Sequence, residues 1–226
     1  MKIKSIKIFV IAFAVSILIV SGIALSIKNS SLVSGDAFYF MKSVGEKIDL
    51  HFLTFNAQDK QEKHLMLADK RLNEFEFLID NRNTEFLPLL GTFNEYRKRL
   101  DSAAFMAENL ALIDAKFVAN IELVYIETLN HLIRLSEFEN RTAAKDLREV
   151  ALQYNSRSMK RLLQLHQYDE NNTTLYKSLI EQLYEIASAR DQEMGPEQLQ
   201  NFQKAREVLD QGVELEYAHD LLVSTF

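Results

Sequence analysis

Two pairs of side chains in this sequence stand at spacings that suit a metal ion. Glu216-x-x-His219 has the i,i+3 spacing of carboxylate-bridged di-iron sites in helical bundles. Glu127 and His131 are four residues apart, which puts both on one face of a helix. A di-iron site needs two Glu-x-x-His motifs and a Glu from each of two further helices. The sequence supplies one such motif, and among 5 histidines a Glu three residues ahead is an ordinary coincidence. His51, His64 and His166 have charged or polar neighbours and read as solvent-facing, and His131 as a residue at the edge of a core. Cysteine is absent, which removes thiol nucleophiles, disulfides, Cys-based zinc or iron–sulfur sites and a lipid-modified cysteine. No Gly-x-Gly-x-x-Gly, phosphate-binding loop or Ser/His/Asp spacing is visible. The residues therefore specify no catalytic group, no metal ligand and no cofactor-binding set.

Charge narrows the partners. Against 26 Lys and Arg stand 32 Asp and Glu, a net of −6. Lys2, Lys4, Lys7 and Lys28 give the first 28 residues +4, which leaves −10 on the remainder. An acidic body is a poor match for a phosphate backbone, so no nucleic-acid partner is expected.

The elements that would position any site are helices. With 6 Gly and 2 Pro, the chain lacks the turn residues that a sandwich, a barrel or Gly-rich crossovers require, while 47% apolar residues suffice for a core. Ile8 to Ile27 is a 20-residue run without a charge. As a helix it spans about 30 Å, the thickness of the hydrocarbon core. Lys2, Lys4 and Lys7 precede it, so residues 1–7 are expected in the cytoplasm, 8–27 as a single transmembrane anchor, and the rest outside. The alternative is a cleaved signal peptide with Ala24-Leu25-Ser26 at the cleavage site, although such apolar regions are usually shorter.

After a linker at 28–35, apolar residues recur at steps of three and four. Phe38, Met41, Ile48 and Phe52 predict a short amphipathic helix near the membrane. Asn56 reads as an N-cap for a helix carrying Leu65, Ala68, Leu72, Phe75 and Ile79. Leu89, Phe93, Tyr96, Leu100, Ala103, Ala107 and Leu110 follow, with Pro88 near the helix start. Around Asp114 either a turn or a continuous helix is compatible with the sequence. Phe117 to Leu135, Leu147 to Leu165, Tyr176 to Ile186 and Leu199 to Val213 supply further stripes. Breaks are expected at 81–84, 139–142, 169–174 and Gly195-Pro196. Gly45 and Gly212 fall inside predicted helices without an evident reason. The expected fold is all-α: an anchor followed by an elongated antiparallel bundle of about six or seven helices. Residues 36–168 would form the bundle, and 173–226 a C-terminal hairpin on or after it.

Gly35-Asp36-x-x-Tyr39-x-x-Lys42-x-x-x-Glu46, followed by Ala68-Asp69-x-Arg71-Leu72-x-Glu74, resembles a bacterial family of membrane-anchored, extracytoplasmic helical domains of unknown function. The similarity is strong over about 35–75 and extends in pattern to about 165. Ala37 and Phe40 stand where that family tends to have proline. The resemblance implies an envelope protein with a helical ectodomain and implies no reaction. Physically, Asp36 could cap a helix, Lys42 and Glu46 are an i,i+4 pair, and Arg71 and Glu74 could pair across a surface. The leading expectation is a non-enzymatic interaction or scaffold module held at the cell membrane through residues 8–27 and contacting an envelope protein. The alternatives are a ligand-binding sensor acting through a partner, and a metal-dependent bundle enzyme.

Overall fold

The computed structural model describes residues 2–28, 30–81, 86–138, 141–165, 170–190, 194–212 and 214–226. The side chains of 2–12, 14, 81, 86–87 and 170–172 lie outside the described residues. Every regular element among the described residues is helical: α1 (Lys2–Ile27), α2 (Tyr39–Ile48), α3 (Ala57–Asn81), α4 (Phe86–Ile113), α5 (Val118–Ser136), α6 (Thr142–Leu165), α7 (Glu170–Ser188), α8 (Pro196–Gln211) and α9 (Leu215–Val223). A π-helical turn, Asp49–Leu53, follows α2, and a 3-10 turn, Ala115–Phe117, precedes α5.

Helices α3 to α6 form an up-down-up-down bundle. Gln61 meets Asn120 and Glu76 meets Arg134, so α3 and α5 run parallel. Asp101 meets Tyr154 and Glu108 meets Arg157, so α4 and α6 run parallel to each other. The three-and-four stripes are the core: Leu72, Phe75, Tyr96, Leu100, Ile121, Val124, Leu132, Leu147 and Leu162 are all buried. Each Leu, Ile or Phe so removed from water contributes about 1.5–3 kcal/mol. Helix α7 packs on α5, and α9 on α6, α7 and α8. The apolar core continues without a gap from Leu65 to Leu222.

Local chemistry explains most boundaries. The Asn56 side chain accepts the Gln58 N–H at 3.0 Å and starts α3. At Asp114 the chain turns, because its carboxylate accepts the Lys116 N–H at 3.0 Å. Pro196 opens α8, and the Gln198 side chain accepts the Gly195 N–H at 3.0 Å. The breaks expected at 82–84 and 139–140 lie outside the described residues.

Four expectations need correction. Beyond α1 there are eight α-helices among the described residues, more than six or seven. The extra one is α9: Gly212 at φ +68 is the left-handed C-cap of α8, so that helix ends at Gln211. Residues 170–174 are not a loop but the first turn of α7, where Asn, Thr and Glu are well tolerated. The fourth concerns α2, whose apolar face is not the buried one. Of its expected stripe, Phe38 and Phe52 flank the helix and are exposed and Met41 and Ile48 are half-buried, while the fully buried residues are Lys42, Gly45 and Glu46.

The expected anchor, residues 8–27, coincides with most of α1, but the side chains of 8–12 and 14 lie outside the described residues. Among the described residues no helix is long and apolar enough to cross a membrane. Those of its side chains that are described are exposed on all sides, among them Phe13, Ile17, Leu18, Ile19 and Ile23. Its last turn is not: Ala24 is buried against α2. A Cβ at Gly45 would run into the Ala24 carbonyl, so only glycine lets the two backbones approach this closely.

Candidate functional site

The charged residues of the Tyr39-to-Glu74 pattern converge between α2, α3 and the end of α1. Lys42, Glu46, Arg71 and Glu74 are all buried, Arg71 to 1% exposure. A charge taken out of water costs several kcal/mol unless it is paired and hydrogen-bonded, and here each finds partners. The Lys42 ammonium lies 2.7 Å from Glu74 Oε1 and also donates to the Leu32 carbonyl. The Arg71 guanidinium donates through one arm to Glu74 and through the other to Glu46. Its first arm also reaches the Tyr39 hydroxyl at 2.7 Å, and that hydroxyl donates to Glu74 Oε2 at 3.0 Å. Lys70 joins from α3, 2.9 Å from Glu46 Oε1, and donates to the Lys28 carbonyl at the end of α1.

The electrostatics follow from that packing. Burial opposes the charge on Arg71, but the Glu74 and Glu46 carboxylates outweigh it and push its pKa up. Burial also pushes the Tyr39 phenol up, with Arg71 opposing and Glu74 and Glu46 adding to the rise, so the phenol stays a neutral donor. Burial pushes the Lys70 ammonium down, with Glu46 pulling it back. A second knot sits beside the first. Asp49 lies 3.0 Å from the Lys28 ammonium and 2.5 Å from that of Lys63. Its burial is outweighed by Lys63 and Lys28, which hold its carboxyl below the usual range.

The expected pairings are thus partly rearranged. Arg71 and Glu74 do pair, but in the interior and not across a surface. Lys42 and Glu46 each pair with a residue of α3, at sequence separations of 32 and 25. Asp36 does not cap α2, which has no side-chain cap; its carboxylate closes the linker by accepting the Val33 N–H at 2.9 Å. Lys70 carries no sequence signal, because a lysine on a charged helix is ordinarily solvated.

The residues with metal-like spacing are not gathered into a ligand set among the described residues. Glu216 is exposed while His219 is fully buried and points at Asn155 of α6. Asn155 donates to the Tyr125 carbonyl at 3.2 Å and to Thr128 Oγ1 at 3.1 Å, which leaves its own carbonyl facing His219 Nε2 at 3.2 Å. Facing that carbonyl, His219 Nε2 carries a proton, and burial, which pushes the imidazole down to about 4, keeps it neutral. His131 lies inside the core, not at its edge, with Nδ1 3.0 Å from the Tyr96 hydroxyl and Nε2 3.9 Å from Asp69. Glu127 is half-buried, its carboxyl pushed up by burial and by Asp69 and pulled back by a hydrogen bond from Asn130. His64 is half-buried, and burial with Arg99 nearby pushes it down to about 4, so it is not a solvent-facing imidazole. His51 is exposed, and His166 lies outside the described residues. Among the described residues no three His, Cys, Asp or Glu side chains are grouped as ligands of one ion.

The arrangement can do one thing well: fix the exit of α1 against α2 and α3. Each of its carboxylates is paired with two cations, and it ties two backbone carbonyls of the α1–α2 connection to lysines.

Compared with known proteins, residues 31–216 match a family described as a domain of unknown function, DUF5667. No curated protein and no solved structure matches the chain.

Proposed function

We propose that this chain, which belongs to the DUF5667 family of domains of unknown function, is a non-enzymatic, single-pass protein of the bacterial cell membrane that holds a rigid helical body outside the cytoplasm for contact with another envelope protein. The observation that carries this reading is the pairing of α1 with the charge network. A helix whose side chains are apolar and exposed all round has no place in water, and lipid is the environment that suits it. The uncharged run at 8–27, with Lys2, Lys4 and Lys7 ahead of it, supports the same orientation. The buried ion pairs then act as a joint, setting the angle at which the body leaves the membrane.

An interaction role is supported by what the body displays. Phe105, Leu112 and Ile113 on α4 are exposed large apolar residues, Ile113 to 79%. Phe105 and Leu112 line a shallow groove with Glu108, Arg157 and Lys160, a polar rim of the kind that borders contact surfaces.

The test combines topology with crosslinking. A reporter active only outside the cytoplasm, fused after Phe226, should be active, and the chain should stay in the membrane pellet after alkaline extraction. A photoreactive residue at Phe105 should capture a discrete envelope protein in cells. An inactive reporter, or release by alkali, would overturn the anchored reading. Turnover by the purified chain that is lost on substituting one residue would overturn the non-enzymatic one.

A further inference from the structure

Helix α2 is built inside out. Its inward face carries Lys42, Gly45 and Glu46, and its outward face carries Phe40 and Val44, one turn apart and both exposed. Apolar exposure resumes in the chain that follows: Leu50 is buried, but Phe52 is 69% exposed and Phe55 85%, with Leu53 between them. In water this arrangement is wrong at both faces, since it desolvates charges and exposes aromatics. Beside a bilayer it is consistent, because the outward face meets lipid and the inward face meets the ion pairs of α3.

Position supports that environment. Gly45 rests on Ala24, three residues before the end of the apolar run of α1, and Asp49 is paired with Lys28, the first residue after it. At 1.5 Å per residue, Ala24 lies about 4–5 Å inside the end of that run. Amphipathic helices in the membrane interface sink their apolar face to a similar depth, about 5–10 Å. Charge agrees as well. Residues 28–63 hold five Lys and five Asp or Glu and are neutral in an otherwise acidic body, so anionic headgroups would not repel them.

We propose that α2 and the π-helical turn after it form a collar lying in the lipid headgroup region around the exit of α1, with Phe40, Val44, Phe52 and Leu53 inserted toward the acyl chains. This rests on α1 being a membrane anchor. The collar adds a second attachment and fixes rotation of the body about α1, which a single span alone does not.

The chain has no tryptophan, so single reporters can be introduced cleanly. Full-length Phe40→Trp and Phe52→Trp chains would be reconstituted into phosphatidylcholine–phosphatidylglycerol vesicles whose acyl chains carry bromine. The control is Tyr217→Trp on α9, 39% exposed, which packs on α6, α7 and α8. The expected result is co-flotation with vesicles, a blue-shifted emission, and bromine quenching of the Phe40 and Phe52 reporters severalfold above that of the control. Flotation with no more quenching than the control overturns the collar and leaves the anchor standing. A blue shift without quenching that grows with protein density assigns the face to a second copy and likewise overturns it. A chain that fails to float removes the anchor and the collar together.

Discussion

Lys42 of α2 reaches past its own helix, and its ammonium sits 2.7 Å from Glu74 of α3. This contact, with Glu46 held by Arg71 and Lys70, makes the two helices depend on each other's charges. Removing one partner of a buried pair leaves the other unsatisfied and costs about 3–5 kcal/mol. Glu74→Leu would strip a partner from Lys42, Arg71 and Tyr39 together. It is expected to lower unfolding stability in urea by about that amount. Lys42→Met leaves Glu74 with Arg71 and Tyr39, so a smaller loss is expected. If Glu74→Leu costs under about 1 kcal/mol, the range of an exposed pair, the network is not what joins α2 to α3.

The close approach of Gly45 to Ala24 makes a separate, steric prediction. Gly45→Leu cannot be accommodated without moving α1 off α2. The Lys28 ammonium, now held at Asp49, and the Lys28 carbonyl, now held by Lys70, would then be released. Cleavage by trypsin after Lys28 should accelerate severalfold relative to the parent chain, while Gly22→Leu, which meets nothing within 4 Å, should leave the rate unchanged. Equal rates for the two variants would refute the contact.

What can be read in the sequence depends on where each residue's partners lie. The stripes of α3 to α7 are legible because periodicity of three and four reports burial against any neighbour, whichever it is. The inward face of α2 is not legible. Hydrophobicity argues for burying Phe38 and Phe52, and the reason to bury Lys42 and Glu46 instead lies on α3, 25 to 32 residues away. The family-like pattern marks the right residues, while their pairing comes only from the fold. Asn155 gives no signal at all, since a polar residue on a helix reads as surface until His219, 64 residues on, is seen beside it.

The end of α8 escapes the periodicity for a smaller reason, and it yields a paired prediction. Gly212 has φ +68 and Glu214 has φ 53, both left-handed. For a residue with a Cβ that conformation costs roughly 1–2 kcal/mol. Gly212→Ala should therefore destabilise the chain by about 1 kcal/mol. Glu214→Gly should relieve strain and raise the urea midpoint or leave it unchanged. If Gly212→Ala stabilises the chain, Gly212 is not the terminator of α8.

His219 and His131 are the two fully buried imidazoles that shape the pH response, to which the half-buried His64 adds a third. Desolvation pushes both down to about 4 from an ordinary value of 6.5; Asp220 and Lys160 have opposing, lesser effects on His219, and Asp69 and Arg134 on His131. Above pH 6.5 both imidazoles are neutral folded or unfolded, and neither changes stability. Between 6.5 and 4 the unfolded chain takes up protons that the native chain refuses, so stability falls as pH falls through that window. Each tenfold difference in proton affinity between the two states is worth roughly 1.4 kcal/mol, so the loss reaches about 3 kcal/mol for each histidine by pH 4. Asp49 acts separately and lower. Its depressed carboxyl gives stability that is present above the ordinary carboxylate range and lost as pH falls through its native value. His219→Gln keeps a donor toward the Asn155 carbonyl but cannot titrate. Urea midpoints measured from pH 7 to pH 4 should show its slope reduced by about one proton, and combining it with His131→Gln should remove a second. A His219→Gln chain as pH-sensitive as the parent would mean that the buried imidazole is protonated in place, with a counter-charge that the Asn155 carbonyl does not supply.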